Sequence, residues 1–160
     1  MTAELISSHR LSSGWAGRAS QHRRHQVRSR TSGADGVDAM WSSVVDVLAA
    51  LPGRAGAVLC TADGSSVATY GLTRGEQVRL PQEAVQLIMT HRVAERSATG
   101  VVTAEVVAGP RCTVVARIPS AARGDHLLLV TATDVSAPLL NAWTSQAAED
   151  LRRLLLDATA

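Results

Sequence analysis

The sequence predicts an α/β sandwich: a five-stranded antiparallel sheet carrying packed helices, in the order α-β-β-α-β-β-β-α. Three observations predict it. Three apolar stripes recur at helical spacing, and five short apolar runs lie between them. The connections between those runs are hairpin-sized and carry turn residues, which implies antiparallel pairing. The 160 residues, 46% hydrophobic and 19% charged, match one domain with a core of its own.

Asp38 is placed to cap the first helix, where Met40, Trp41, Val44, Val45, Leu48 and Leu51 recur at helical spacing. Pro52-Gly53 ends it. Ala57 to Thr61 reads as a buried strand. Asp63-Gly64 reads as a tight turn, and Val67 to Tyr70 as the returning strand. Thr73-x-x-Glu76 has the spacing of a capping box, and Pro81 suits the first turn of the second helix. Val85, Ile88, Met89 and Val93 give that helix its apolar stripe. It is expected to end before Gly100. Val102, Ala104 and Val106 alternate with Thr103 and Glu105, as in a half-exposed strand. Gly109-Pro110 breaks the chain, and Cys112 to Ile118 forms the next strand. Leu127 to Val130 is the most continuous apolar run, which places it at the centre of the sheet. After Asp134 to Pro138, the residues Leu140, Trp143, Ala147, Leu151, Leu154 and Leu155 form the buried stripe of the last helix. Arg152 and Arg153 suit its C-terminal dipole.

Residues 1–36 read as a disordered basic N-terminal tail, and residues 37–160 as the folded domain. The tail sets six arginines against Glu4 and Asp35, a net +4, while the remainder carries a net −2. His22 to Arg30 is the densest basic cluster. Such a cluster suits nucleic acid or acidic lipid headgroups. It has no aromatic interleaving and no amphipathic face, which favours a solvated leader. Met40 stands near the start of the ordered region, where a downstream translation start would fall. All 16 basic residues are arginine and the chain has no Phe. The core must therefore use small and branched aliphatic side chains, a bias that GC-rich coding produces.

Several chemistries have no sequence support. There is no G-x-x-x-x-G-K-[ST] phosphate loop, and no G-x-G-x-x-G follows a strand. Cys60 and Cys112 do not make a disulfide framework or a zinc site. Cys112 with His126 would be a minimal dyad, but no ligand spacing supports it. Ser65 and Ser66 are explained by the hairpin turn, and Ser136 by helix capping. No catalytic, cofactor-binding or metal-binding residues are assigned, and no cofactor is expected. No apolar run reaches a membrane span and no secretory signal is present, which points to a cytoplasmic location.

Leu51-Pro52-Gly53-Arg54-Ala55-Gly56-Ala57-Val58-Leu59-Cys60-Thr61-Ala62-Asp63-Gly64 resembles the opening of a roadblock/dynein light chain domain. That family begins with a helix, a Pro-Gly break, an apolar strand and an Asp-Gly turn. Leu127 to Leu140 resembles its last strand and the start of its final helix. The resemblance covers residues 38–157. It implies a sheet with the second helix on one face and the first and last helices on the other. It implies a homodimer joined at the third strands, with the second helices side by side. It also implies a scaffold or regulator of a Ras-like small GTPase, without enzymatic activity of its own. In actinobacteria such domains accompany a small GTPase and a sensor-kinase-like protein, a setting that the lysine-free composition fits.

On this reading Val101, Thr103 and Glu105 mark the dimer edge strand. Gln82, Gln86, Arg92 and Arg96 mark a partner surface on the second helix. The alternative is a small-molecule sensor domain of profilin-like or GAF-like architecture, with a pocket near Tyr70, Cys112 or His126.

Overall fold

The structure, a computed structural model, describes residues 33–92, 100–120 and 124–157. The expected element order is observed: α1 (Gly33–Ala49), β1 (Ala55–Thr61), β2 (Ser66–Tyr70), α2 (Arg74–Arg92), β3 (Val102–Ala108), β4 (Arg111–Ile118), β5 (His126–Thr133) and α3 (Ala137–Asp157). The strands form one sheet in the order β2-β1-β5-β4-β3. Every neighbouring pair is antiparallel. The apolar run Leu127 to Val130 lies in the central strand, whose residues are buried from His126 to Ala132.

A strand's period of two sends alternate side chains to opposite faces, so β5 feeds two cores. Leu128 and Val130 join Val114 and Ile118 of β4, Val44 and Leu48 of α1, and Leu140 and Leu151 of α3. Leu127 and Leu129 join Val58, Cys60 and Val115, beneath Leu80, Ala84 and Ile88 of α2. The first and last helices therefore cover one face and α2 covers the other. Fully burying each Leu, Ile or Val contributes about 1.5–3 kcal/mol. Buried alanines (Ala57, Ala116, Ala132, Ala147 and Ala148) fill the contacts on the two-helix face without aromatic bulk.

α1 starts earlier than its expected cap, and α2 starts at its capping box, earlier than a first-turn Pro81 would place it. α1 begins at Gly33, ahead of the cap expected at Asp38. Val37, Met40 and Trp41 pack against the two-helix core, and the Cα of Gly36 faces Leu154 of α3. Contact with α3 thus extends the helix beyond its local cap, and Asp35 in its first turn complements the dipole. α2 begins at Arg74, so Pro81 falls inside the helix and not in its first turn. The capping box sets that start. The Thr73 backbone N–H donates to Glu76 Oε2 at 2.8 Å, and the Glu76 N–H donates to Thr73 Oγ1 at 3.3 Å. Pro81 is fully buried and leaves the Gln77 carbonyl without its helical donor. The buried stripe runs through Leu80, Pro81, Ala84 and Ile88, whereas Met89, expected in it, is 61% exposed.

The β1–β2 turn is built as expected. Gly64 has φ 86°, and Asp63 Oδ1 accepts the Ser65 N–H at 3.0 Å. Gly71 ends β2 with φ 65°, and a Cβ there would lie 2.2 Å from the Ala55 carbonyl oxygen. Gly71→Ala combines backbone strain with that collision, so it should lower stability by about 3 kcal/mol. Urea unfolding measures this. A variant within about 0.5 kcal/mol of wild type would mean that the turn relaxes without strain.

Candidate functional site

β3 is an edge strand, paired among the described strands only with β4. Its sequence, Val-Thr-Ala-Glu-Val-Val-Ala, alternates only over its first half. Ala104 points into the core under α2. Glu105, opposite Val114, stands on the other face, toward α3. Asn141 of α3 meets it there. Thr103 Oγ1 donates to Asn141 Oδ1 at 3.1 Å, and Asn141 Nδ2 donates to Glu105 Oε2 at 2.9 Å. The alternation then fails. Val106 is 47% and Val107 60% exposed, one on each face of the strand. Beside Val106, a groove of about 360 Å³ opens between α2 and the β3–β4 hairpin. Leu87, Val115 and Leu129 line it with Val106, and Glu83 and Gln86 add polar atoms.

A second cluster ties α2 to the sheet. Glu76 is almost fully buried, and both carboxylate oxygens are engaged. Oε2 accepts from the Thr73 N–H and hydroxyl and from Arg54 at 2.8 Å. Oε1 accepts from Arg111 at 3.1 Å. Arg111 Nε also donates to Thr131 Oγ1 at 2.7 Å. The Thr73 backbone bond leads in holding the Glu76 carboxyl down at about 2, with the Thr73 hydroxyl, Arg111 and Arg54 adding to it against the cost of burial. The carboxylate is thus charged, saturated and fixed. It pins the first turn of α2 to β4 and to the start of β1.

The predicted site residues fall in different places. Thr103 and Glu105 lie on β3, and Val101 just precedes it, packed against the two-helix core. Gln86 borders the groove. Gln82 lies over the β1–β2 turn, where a Cβ on Gly64 would come within 2.7 Å of its amide. Arg92 ends α2, but its side chain and the whole of Arg96 lie outside the described residues, as does the basic cluster of residues 22–30. The structure does not bring Tyr70, Cys112 and His126 together. Cys112 pairs with Ala132 and His126 with Ile118, so they stand near opposite ends of β5. That separation is about 20 Å at the rise of a strand. Tyr70 is on the far edge strand. Burial and the Asp63 charge push the Cys60 thiol up to about 11. Burial and Glu105 raise the Cys112 thiol as well.

Sequence reading passed over Val107, Asn141 and the Arg54–Glu76–Arg111 cluster. Adjacent exposed valines were legible as a break in alternation. The cluster joins residues 22 and 35 positions apart, which no local pattern connects. Among the described residues, no group of three or more His, Cys, Asp or Glu is placed to hold a metal ion. No described helix is long and apolar enough to cross a membrane.

These features define a class: a three-layer α/β sandwich with a partly apolar edge strand, its outer side unpaired among the described strands, beside an open groove between helix and sheet. Comparison with solved structures narrows it. The Roadblock/LC7 domain from Streptomyces avermitilis superposes with a TM-score of 0.55 at 22% identity, covering 74% of this chain and 97% of that one. The gliding protein MglB from Thermus thermophilus gives 0.55 at 11% identity, covering 81% and 96%. MglB in a tetrameric arrangement gives 0.55 at 12%, covering 81% and 95%. No family model matches the sequence, and no curated protein matches it. The chain has the roadblock fold.

Proposed function

We propose that this chain is a non-enzymatic interaction module that homodimerises and binds or regulates a Ras-like small GTPase within a cytoplasmic signalling complex. The observation that carries the dimer is the β3 edge. Val106 and Val107 are exposed on opposite faces of a strand whose outer edge has no partner among the described strands. An edge of that kind must be covered, charged or paired. A second copy of β3 would satisfy its backbone groups and cover both valines. Val101, Thr103 and Glu105 belong to this interface, and the adjacent groove gives the partner's α2 a place to lie. The tetrameric arrangement of MglB, a structure of the same fold, supports self-association.

The GTPase reading rests on the roadblock fold and on the sequence resemblance that accompanies it. The partner surface is assigned to α2. Gln82 and Gln86 are exposed there, together with Val78 at 72% and Met89 at 61%. Arg92, the last residue of α2, and Arg96, which lies outside the described residues, are assigned to the same surface from the sequence. Any effect on hydrolysis would come from biasing the GTPase switch loops and not from chemistry in this chain. A sensor-kinase-like protein is the further partner that such complexes imply. Residues 1–32 are proposed as a leader ahead of the domain, and residues 33–36 of the expected tail belong to α1.

The test uses the tagged full-length chain to capture proteins from native lysate, with GDP or with a non-hydrolysable GTP analogue. The expected result is a Ras-like GTPase enriched in one nucleotide state. Recovery of the chain alone in both states would overturn the GTPase reading.

A further inference from the structure

The inference rests on the proposed dimer and concerns what lets the β3 edge pair with itself. Glu105 is the middle residue of β3 and its only charge. A two-fold axis pairs a strand antiparallel with its own copy. The register of fullest overlap sets 102 against 108 and Glu105 against the second copy's Glu105. Directly opposed residues lie about 5 Å apart at Cβ, and like charges there oppose pairing. A central charge on an edge strand ordinarily guards against such pairing.

In this chain the guard is drawn aside. Asn141 Oδ1 accepts from Thr103 Oγ1 at 3.1 Å and from Ser145 Oγ at 3.2 Å. These two hydroxyls occupy the carbonyl end of the amide, so its donor end faces Glu105, with Nδ2 to Oε2 at 2.9 Å. The contact pulls the carboxylate toward α3 and offsets part of its charge with the amide dipole. We propose that Asn141 is a positioning residue for self-association: it holds Glu105 against α3 so that two copies of β3 can pair across their centres. The occupant of this edge is a second copy of the chain. The charge sits at the one position of the strand that a two-fold pairing sets against itself, and its hydrogen bond leads away from the edge.

The test is a dilution series by analytical ultracentrifugation on the full chain, comparing wild type, Asn141→Ala, Glu105→Gln and the double variant. Asn141→Ala should weaken the dimer about fivefold, the scale of one opposed like-charge pair. Glu105→Gln should be at least as tight as wild type. Adding Asn141→Ala to Glu105→Gln should change nothing further, because no charge then needs holding. Equal weakening in both backgrounds would assign Asn141 an ordinary structural role and overturn the proposal. So would no weakening in either. If Asn141→Ala melts early, Asn141→Asp carries the test. It keeps the size, sets a carboxylate against Glu105, and should weaken the dimer more than alanine does. No weakening by Asn141→Asp would overturn the proposal. A wild-type chain that stays monomeric would overturn the dimer reading and this proposal with it. A dimeric wild type that is insensitive to Asn141 would overturn this proposal alone.

Discussion

Replacing Glu76 with alanine should destabilise the fold by about 4 kcal/mol, the scale of removing a buried ionic partner together with a helix cap. The loss has two sources. The capping box disappears, freeing the Thr73 N–H at the start of α2. Arg111, only one-third exposed, also loses its carboxylate, and Arg54 loses its own. Arg54 is 59% exposed and contributes little to the total. Glu76→Gln separates the two sources. Glutamine can still complete a capping box but carries no charge, so it should cost about 2 kcal/mol. Urea unfolding at neutral pH measures both. If the two variants were equally stable, the cap would contribute nothing, and a Glu76→Gln chain as stable as wild type would mean that the charge contributes nothing.

The same residue sets an acid limit. Its carboxyl is held at about 2 in the folded chain, below the usual unfolded value of about 4.3. As pH falls through that window, the unfolded chain takes up the proton first, and stability drops. The contribution is complete above about pH 5 and lost near pH 2, with a total of about 3 kcal/mol. Glu76→Gln should therefore flatten the stability profile between those limits. An unchanged acid slope in that variant would assign acid sensitivity to other carboxylates.

The elements legible in the sequence were those coded locally. The Asp63-Gly64 turn, the Thr73–Glu76 box and the apolar run of β5 each occupy a few consecutive residues, and each stands where it was expected. The misplaced features depend on contacts that no local window contains. Gly36 against Leu154 carries α1 past Asp38, and burial over β1 and β5 sets the phase of α2 from Leu80 and Pro81. The candidate site divides in the same way. β3 was recognisable as an edge from Thr103 and Glu105. Their tether to Asn141, 36 residues beyond Glu105, depends on α3 crossing that end of the sheet. The Glu76 cluster was half visible. Its cap is local, whereas its two arginines arrive from the start of β1 and from β4.

Val107→Glu should abolish self-association while leaving the protomer folded. Val107 is 60% exposed and pairs with Cys112 on the face that carries Glu105. A substitution there removes little buried area, so protomer stability should stay within about 0.5 kcal/mol of wild type. The interface would feel it twice, because a two-fold contact presents each residue from both copies. In the fullest-overlap register position 107 faces Thr103, diagonal to the opposed pair at Glu105. The variant would thus gather four carboxylates on one face of the joined strands, and Asn141 can hold only the Glu105 of each copy. The apolar cover of Val107 is lost as well. Together these should weaken the dimer by at least about 100-fold, or about 3 kcal/mol. Val107→Leu keeps the edge apolar and should dimerise like wild type. Sedimentation across a dilution series reads the association, and a thermal melt on the same samples reads the fold. A Val107→Glu chain that dimerises like wild type would move the interface away from β3. One that dissociates with an unchanged melt would place it there and supply a monomer for asking whether GTPase capture requires two copies.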